Sequence, residues 1–157
     1  MERSAAIDLI DEAMYTHLQS RDWFGGWTWG WNTRVTAGAV TKFRGEVIEF
    51  STHYVDAATP EQLLNTVLHE IAHAIVGPGE GHGAYWRSTH IALGGDGSRC
   101  HDVQISRDVY PIVADCDCSR GAHYRTRMPR KGYFHTCRES GKRMEWRRVA
   151  ATNLERV

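Results

Sequence analysis

One segment, residues 59–77, constrains the fold of this 157-residue chain more than any other. It reads TPEQLLNTVLHEIAHAIVG, with Thr59 in the position of an N-cap, Pro60 at the first helical position and Gln62 at the third. This is the pattern of a capping box with proline at the start of a helix, and Gly77 supplies a common helix end. The pattern predicts a helix whose apolar side chains belong to the core.

Two histidines and a glutamate interrupt this apolar helix. His69 and His73 are four residues apart, so their side chains leave the same helix face within one turn and can bind one metal ion. Glu70 follows the first histidine directly, which places its carboxylate beside such an ion rather than on it. Burying a carboxylate between two imidazoles is costly without a compensating cation, and the pattern therefore favours a metal site.

The HExxH spacing also indicates a chemistry. A zinc ion lowers the pKa of a bound water molecule from about 15.7 to about 7. A neighbouring glutamate can then accept the proton while the water oxygen attacks a carbonyl carbon. We therefore predict Glu70 as the general base of a zinc-dependent reaction, with His69 and His73 as two of the metal ligands.

A catalytic zinc site usually has three protein ligands and one open position, so a third ligand is needed. The longer pattern HExxHxxGxxH does not continue here, because Val76 and Gly79 stand where its glycine and last histidine would be. Three candidates lie within reach, namely Glu80, His82 and His90. We prefer His82 because it lies in the stretch GEGHG directly before a predicted helix, where a glycine-rich loop can fold back over the metal.

The flanking segments predict helices and a small sheet. Residues 4–19 have apolar side chains near helical spacing behind Ser4 as the N-cap, and residues 84–95, AYWRSTHIALGG, predict a third helix. Residues 34–43 and 46–51 are rich in β-forming residues and are separated by an Arg44-Gly45 turn. Together these segments predict an α+β fold with a small antiparallel sheet.

Three tryptophans follow the first predicted helix at every second position, Trp27, Trp29 and Trp31. This alternation puts three indole rings on one face of a strand. We expect that face to pack on the core rather than to form a stacking surface for bases or peptides. Cys100 and His101 are left without a role by these motifs, and Cys100 is interpreted as a structural thiol rather than a metal ligand.

Composition and charge limit the class of protein. With 41% hydrophobic and 24% charged residues the chain has ordinary globular composition, and its length suits one core with a small appendage. The acidic residues Asp8, Asp11 and Glu12 are unlike a signal or transit peptide, and no apolar stretch approaches the roughly 18 to 20 residues that span a bilayer. We expect a soluble, intracellular monomer without membrane contact.

The net charge of zero conceals a strongly basic C-terminal region. Residues 119–148 hold ten lysines and arginines against two glutamates, a charge of 10 − 2 = +8, so the rest of the chain carries −8. Aromatic residues are interleaved with these cations, a composition that suits a phosphate backbone with stacked bases. The predicted nucleic-acid contacts are Arg125, Arg127, Arg130, Lys131, Arg143 and Arg147. No recognition-helix pattern is present, so we expect single-stranded or sequence-independent DNA binding.

Three of the four cysteines lie within this basic region or directly before it. Cys116 and Cys118 form one close pair, and Cys137 follows after a basic stretch that could form a β-hairpin. Two close ligand pairs separated in this way are the scheme of a zinc ribbon, in which the metal replaces a core too small to fold alone. His135 is our choice for the fourth ligand of this structural zinc, and His123 is the alternative.

The stretch LHEIAHAIVGPGEGHGAYWRSTHIALGG resembles the core of the SprT-like domain, which bacterial SprT proteins and the Spartan proteases share. The pattern of that family is HExxH followed by HGxxF or HGxxW, and here the second part reads HGAYW, starting at His82. The order of the upstream segments is also similar, so the resemblance covers roughly residues 4–95 with good specificity and the tail more loosely.

This resemblance implies a zincin-like minimal metalloprotease domain over residues 1–112 and a basic, zinc-ribbon-like domain over residues 113–157. It implies a zinc-dependent peptidase with Glu70 as general base and His69, His73 and His82 as ligands. Family members with known roles cut proteins crosslinked to DNA. Ribbons in this family usually have CxxC as their second pair, and the HxC of this chain departs from that pattern.

Two functions compete on this basis. The first is a DNA-associated zinc endopeptidase that could bind extended polypeptides by strand addition if the strand near 46–51 forms an exposed edge. The second is a nucleic-acid-binding protein with a catalytically idle zinc, which would need a fourth protein ligand such as Glu80 or His101. A zinc deaminase or nuclease has no support, because neither the HxE with PCxxC signature nor a carboxylate-rich two-metal cluster is present.

Overall fold

The computed structural model describes residues 1–99, 103 and 105–149. The chain divides into two compact units, Met1–Ile105 and a second unit that begins at Ser106. The predicted boundary after residue 112 lies 112 − 105 = 7 residues later and would cut into a strand of the second unit. Cys100 and His101 lie outside the described residues. None of the helices among the described residues is long and apolar enough to cross a membrane.

The first unit begins with helix α1, Arg3–Met14, which continues into a π-helical turn, Tyr15–Gln19. Ser4 is not the N-cap as predicted; Glu2 holds that position and makes no capping hydrogen bond with its side chain. The buried residues of α1 recur at helical spacing, so the helix lays one apolar face on the core. They are Ala6, Ile10, Ala13 and Met14.

Three strands form the sheet of this unit, β1 (Thr28–Asn32), β2 (Ala39–Lys42) and β3 (Val47–Ser51). Their order is β1-β3-β2, with β1 parallel and β2 antiparallel to β3. The predicted antiparallel sheet is therefore mixed. The suggestion that residues 46–51 form an exposed edge is wrong, because β3 lies between its two neighbours; β2 is an edge instead.

The three tryptophans in β1 and directly before it pack as expected. Trp27 is buried, and Trp29 and Trp31 pack against the core cluster while remaining partly exposed. The indole Nε1 of Trp29 donates to Asp11 of α1 at 2.7 Å, which ties the sheet to the first helix. The interpretation of this face as core packing is confirmed.

Two more helices follow directly after the sheet. Helix α2, Thr52–Ala57, was not predicted; the hydroxyl of Ser51 caps it by accepting from the Tyr54 N–H at 3.3 Å. Helix α3, Pro60–Val76, begins with the predicted capping box. The Thr59 hydroxyl accepts from the Gln62 N–H at 3.3 Å, and the Gln62 side chain accepts from the Thr59 N–H at 2.9 Å.

Helix α3 is the central element of the core. Leu63, Val67 and Ile71 are fully buried along one of its faces. The helix packs against α1, against β2, and against α4, Ala84–Ala92, which is the third helix predicted from sequence. This packing fixes the HExxH segment between the edge strand and the last helix of the unit.

The second unit is a small three-stranded antiparallel sheet. Strand β4 (Ile112–Asp115) lies between β5 (Ala122–Arg125) and β6 (Arg147–Arg148). Its buried cluster consists of Ala114, Cys116, Cys118, Cys137 and Met144. Three of these five residues are cysteines, so apolar burial alone supplies little stability to this unit.

Candidate functional site

The histidines and the glutamate of α3 sit at the border between core and surface. The side chains of His69 and Glu70 are buried, with 4% and 6% of their surface exposed, whereas His73 is half-buried. His82 is exposed and reaches the same place from the loop before α4. The group is thus anchored in the core on one side and open to solvent on the other.

Glycines and a carboxylate shape the loop that carries His82. Gly77 and Gly81 have positive φ angles of 87° and 57°, which glycine adopts without steric cost. The carboxylate of Glu80 accepts from the Tyr85 N–H at 3.1 Å, at the start of α4. A Cβ atom at Gly83 would lie 2.3 Å from that carboxylate. Glu80 therefore organises the loop and does not join the imidazole group.

The three predicted imidazoles meet through their Nε2 atoms. The Nε2 of His73 lies 3.2 Å from that of His69 and 3.1 Å from that of His82, and the remaining distance is 3.0 Å. Zinc–imidazole bonds are about 2.0 to 2.1 Å long, so a single ion can contact all three atoms of so small a triangle. These residues fit a zinc ion with three protein ligands.

Trp86 of α4 supports the imidazoles from behind. Its fully buried ring lies 4.6 Å from those of His69 and His82 and 5.4 Å from that of His73, centroid to centroid. Its Nε1 donates to the main-chain oxygen of His69 at 3.3 Å. The HGxxW spacing marked Trp86 in the sequence, but the spacing alone did not predict this supporting role.

His90, the other candidate for the third ligand, is not a member of the imidazole triangle, although its ring centroid lies 5.5 Å from that of His69. It is fully buried, and its Nε2 lies 3.3 Å from the main-chain oxygen of Asn65 on α3. A Cβ atom at Gly95 would lie 1.9 Å from that nitrogen, so glycine is needed there. His90 contributes packing between α3 and α4.

Glu70 has a hydrogen-bond partner that sequence analysis did not find. The hydroxyl of Thr41, on β2, lies 2.7 Å from Glu70 Oε2 and 3.1 Å from the Glu70 main-chain oxygen. Burial raises the pKa of the Glu70 carboxyl, and the hydrogen bonds from Thr41 oppose that rise in part. Burial and the hydrogen bonds with Thr41 therefore act on this carboxyl in opposite directions.

A cleft of about 500 Å³ runs along this site. One wall is formed by β2 and the residues before it, and the opposite wall by the imidazoles and the loop of His82. Small residues from Ala37 to Ala39 line the first wall, which leaves room for an extended chain. Arg99 also borders the cleft, and its charge contributes to lowering the pKa of His82 after the larger effect of burial.

Comparison with known families agrees with this geometry. The model of the SprT-like family matches residues 8–106, which include the HExxH helix, the edge strand and the loop of His82. The chain belongs to the SprT-like family. The match covers 106 − 8 + 1 = 99 of the 157 residues. No curated protein matches the chain.

The second unit of this SprT-like chain contains another candidate metal group. The ligand atoms of Cys116, Cys118, His123 and Cys137 lie within 4.8 Å of one another, and three thiols with one imidazole are a donor set that zinc prefers. His123 Nε2 lies 3.4 Å from the Cys118 sulfur. This group is compatible with a second zinc ion.

The geometry contradicts the choice of His135 as the fourth member of this group. The Nε2 of His135 accepts from the Arg125 guanidinium at 2.9 Å, and its ring meets that of Trp146 edge-on at 6.3 Å. His123 occupies the expected place because a tight turn after Cys118 leads into β5 and returns the chain to the thiols. The alternative considered from sequence is the residue that the structure brings to the thiols.

The thiols differ in how readily they ionise. Hydrogen bonds from the backbone and side chain of Ser140 lower the pKa of Cys137 to about 6, and the Ser140 hydroxyl also lowers that of Cys116. Burial raises the pKa of Cys118. Since the thiolate is the metal-binding form, the lowered pKa values of Cys116 and Cys137 favour metal binding.

The six predicted nucleic-acid contacts fall into two sets. Arg127, Arg130 and Lys131 are exposed, and within the described part of the chain they form no ion pair. The other three have protein partners in the second unit: Arg125 contacts His135 and Trp146, Arg143 stacks on Phe134 and Arg147 pairs with Asp115. The first set therefore presents the most accessible positive charge.

We expect the imidazole group to retain zinc in mild acid. Burial, followed by the neighbouring His82 and His90, lowers the pKa of His73 to about 4, so this ring stays neutral where an ordinary histidine at 6.5 would be protonated. Only the neutral ring binds metal, and proton competition at His73 should begin near its own pKa. The measurement is zinc content after dialysis over a series of pH values, using Cys116→Ser to remove the second group. Loss of the metal with a midpoint of about pH 6 would contradict this prediction.

Proposed function

We propose that this SprT-like chain is a zinc-dependent endopeptidase that acts on proteins bound or crosslinked to DNA. The observation that carries the proposal is the triangle of three imidazole nitrogens beside the buried Glu70 carboxylate, on a cleft lined by the edge strand β2. One side of the triangle is anchored in the core and the other faces solvent, which leaves room for a substrate carbonyl.

Each side chain of the site has a role in this proposal. His69, His73 and His82 would hold the zinc, which supplies Lewis acidity toward a carbonyl oxygen and acidity to a water molecule. Glu70 accepts the proton of the attacking water and later delivers it to the leaving amine. Thr41 donates to one oxygen of the Glu70 carboxylate, which leaves the other oxygen to accept that proton.

The edge of β2 supports binding of an extended substrate. The Ser51 N–H donates to the Gly38 oxygen at 2.8 Å, so the hydrogen-bonded pairs with β3 fall at Gly38 and Val40 and at every second residue. The main-chain groups of Ala39 and Thr41 then point away from β3 toward the cleft. Within the described ranges no strand pairs with that edge. Strand addition uses main-chain hydrogen bonds and therefore tolerates varied substrate sequences.

The competing function, a nucleic-acid-binding protein with an idle zinc, requires a fourth protein ligand. Among the described residues the imidazole group has three members. Glu80, one of the two candidates, caps the start of α4, and His101 lies outside the described residues. The three-ligand arrangement with an adjacent buried carboxylate favours the peptidase.

We infer that the second unit is a zinc-ribbon-like module whose structural zinc is bound by Cys116, Cys118, His123 and Cys137. What supports this is the small size of its core, in which the thiols replace apolar residues. A metal bound only in the folded state contributes its binding free energy to folding. The module would then present its basic residues on a stable base.

DNA is the partner that we propose for this basic module. The exposed cations Arg127, Arg130 and Lys131 suit phosphates, and the exposed rings of Tyr133 and Phe134 suit stacking with unpaired bases. Both contacts are independent of base sequence. Binding of this kind would bring the peptidase to proteins already held on DNA.

Replacing these three cations is expected to weaken binding of single-stranded DNA and its salt dependence. Each phosphate contact contributes about 0.7 to the slope of log affinity against log salt, so a triple change of Arg127, Arg130 and Lys131 to Gln should lower the slope by about 2. The measurement is fluorescence anisotropy with a labelled oligonucleotide over a salt series. Arg147→Gln is the matched control, because Asp115 already pairs with that guanidinium at 3.1 Å. An unchanged slope in the triple variant would place the contact elsewhere.

The function is tested by incubating the zinc-loaded protein with a purified DNA-binding protein, with and without single-stranded DNA. Glu70→Gln serves as the control. Fragments from the wild type alone support the peptidase, and faster cleavage with DNA supports the proposed substrate class. If the wild type and Glu70→Gln behaved alike, the proposed peptidase activity would be wrong. If cleavage occurred at the same rate with and without DNA, only the proposal of DNA-bound substrates would be wrong.

A further inference from the structure

The contact between Thr41 and Glu70 joins two parts of the site that are 29 residues apart in sequence. The hydroxyl of Thr41 has a single proton and two acceptors within reach, Glu70 Oε2 at 2.7 Å and the Glu70 main-chain oxygen at 3.1 Å. Both acceptors belong to the same residue. In either case the hydroxyl ties Glu70 to the edge strand of the sheet.

The position of Thr41 on β2 makes this contact possible. Ile48 of β3 is its register partner, and it is fully buried on the face of the sheet that packs on α3. On the opposite face, Lys42 forms an ion pair with Glu49. The alternation of side chains along the strand thus sends the Thr41 side chain toward α3. Its main-chain groups remain on the free edge of β2.

A single hydrogen bond can matter here because Glu70 is buried. Only 6% of its surface is exposed, so water cannot readily replace a lost partner of its carboxylate. Among the described residues Thr41 is the side chain that hydrogen-bonds this carboxylate. A misplacement of a reacting group by about 1 Å can lower the rate roughly a hundredfold. Loss of the Thr41 hydroxyl could therefore lower kcat by displacing the Glu70 carboxylate.

We propose that Thr41 is a positioning residue of the peptidase reaction, whose hydroxyl fixes the Glu70 carboxylate beside the imidazole group. This inference rests on the proposed function and assigns a residue outside the HExxH segment to it. Since the main chain of Thr41 lies on the edge that would pair with substrate, the same residue both borders the bound polypeptide and holds the general base. Strand β2 would therefore position both the bound polypeptide and the carboxylate of the general base.

The test compares Thr41→Val, which keeps the shape but removes the hydroxyl, with Thr41→Ser, which keeps the hydroxyl. We expect Thr41→Val to lower kcat by roughly 10- to 100-fold with KM changed less than about threefold. Thr41→Ser should restore kcat to within about fivefold of the wild type. Thr28→Val, an exposed threonine of β1, is the matched control. Zinc content and the thermal unfolding midpoint of every variant are measured alongside.

The possible outcomes separate the two proposals. If the wild type cleaves and Thr41→Val has the same kcat, the role of Thr41 is overturned while the peptidase stands. A rise of KM alone, a loss of zinc, or a failure of Thr41→Ser to restore kcat would also overturn it, since a positioning hydroxyl predicts none of these. A wild type without cleavage would overturn the peptidase and the role of Thr41 together.

Discussion

Glu70→Gln is expected to keep its zinc and to lose cleavage of protein substrates by about a hundred- to ten-thousandfold, the usual contribution of a general base. The amide has nearly the same shape as the carboxylate and can still accept a hydrogen bond from the Thr41 hydroxyl. It cannot take up the proton of the attacking water. The measurement is the initial rate of substrate cleavage at equal zinc content, with the metal quantified by elemental analysis.

A suitable control lies on the same helix. Glu61→Gln changes a carboxylate in the first turn of α3 that is exposed to solvent and distant in sequence from the imidazoles. It should leave both zinc content and rate near those of the wild type, since a surface substitution of this kind has a small effect on stability. If Glu70→Gln cleaved as fast as Glu61→Gln, proton transfer would depend on another group and the assigned role of Glu70 would be wrong.

The HExxH residues of this site could be predicted because they all lie on one helix. The four-residue spacing of His69 and His73 fixes their common face whatever the rest of the fold does. The capping box at Thr59 and the break at Gly77 fix where that helix begins and ends. His82 lies close enough along the chain for a glycine-rich loop to return it to the same face.

The remainder of the site depends on which strands pair. Thr41 reaches Glu70 because β2 packs against α3 and presents alternate side chains to it. The sequence identified β-rich segments but contained no local sign that β1 would pair in parallel with β3 and leave β2 outside. Strand order arises from long-range packing, so the sequence could not show that residues 46–51 form the central strand and that β2 lies at an edge.

The second unit shows a similar difference between spacing and geometry. His135 stands two residues before Cys137, which resembles a close ligand pair in the sequence. In the structure Gly121, with a φ angle of 69°, lies in the turn after Cys118, and its N–H donates to the Cys118 oxygen at 2.9 Å. That turn sends β5 back beside the thiols with His123 on it. Short-range spacing could not reveal this reversal.

His123→Ala is therefore expected to lose one of two zinc equivalents, whereas His135→Ala should keep both. Structural zinc sites of this kind have apparent binding free energies of about 10 to 16 kcal/mol in small peptides, so loss of a ligand should also unfold much of the second unit. Cys116→Ser should behave like His123→Ala, with weakened DNA binding and an intact zinc at the imidazole group. The measurements are zinc per chain, DNA binding and thermal unfolding.

His135→Ala also distinguishes the contribution of the metal to DNA binding from that of the basic residues. It removes the acceptor of the Arg125 guanidinium at 2.9 Å without touching the thiols, so DNA binding can change while the zinc count stays at two. A loss of zinc in His135→Ala with retention in His123→Ala would restore the ligand set favoured by the sequence spacing. A fall of two equivalents in Cys116→Ser would contradict separate sites, because the imidazole group lies on a different compact unit with ligands of its own.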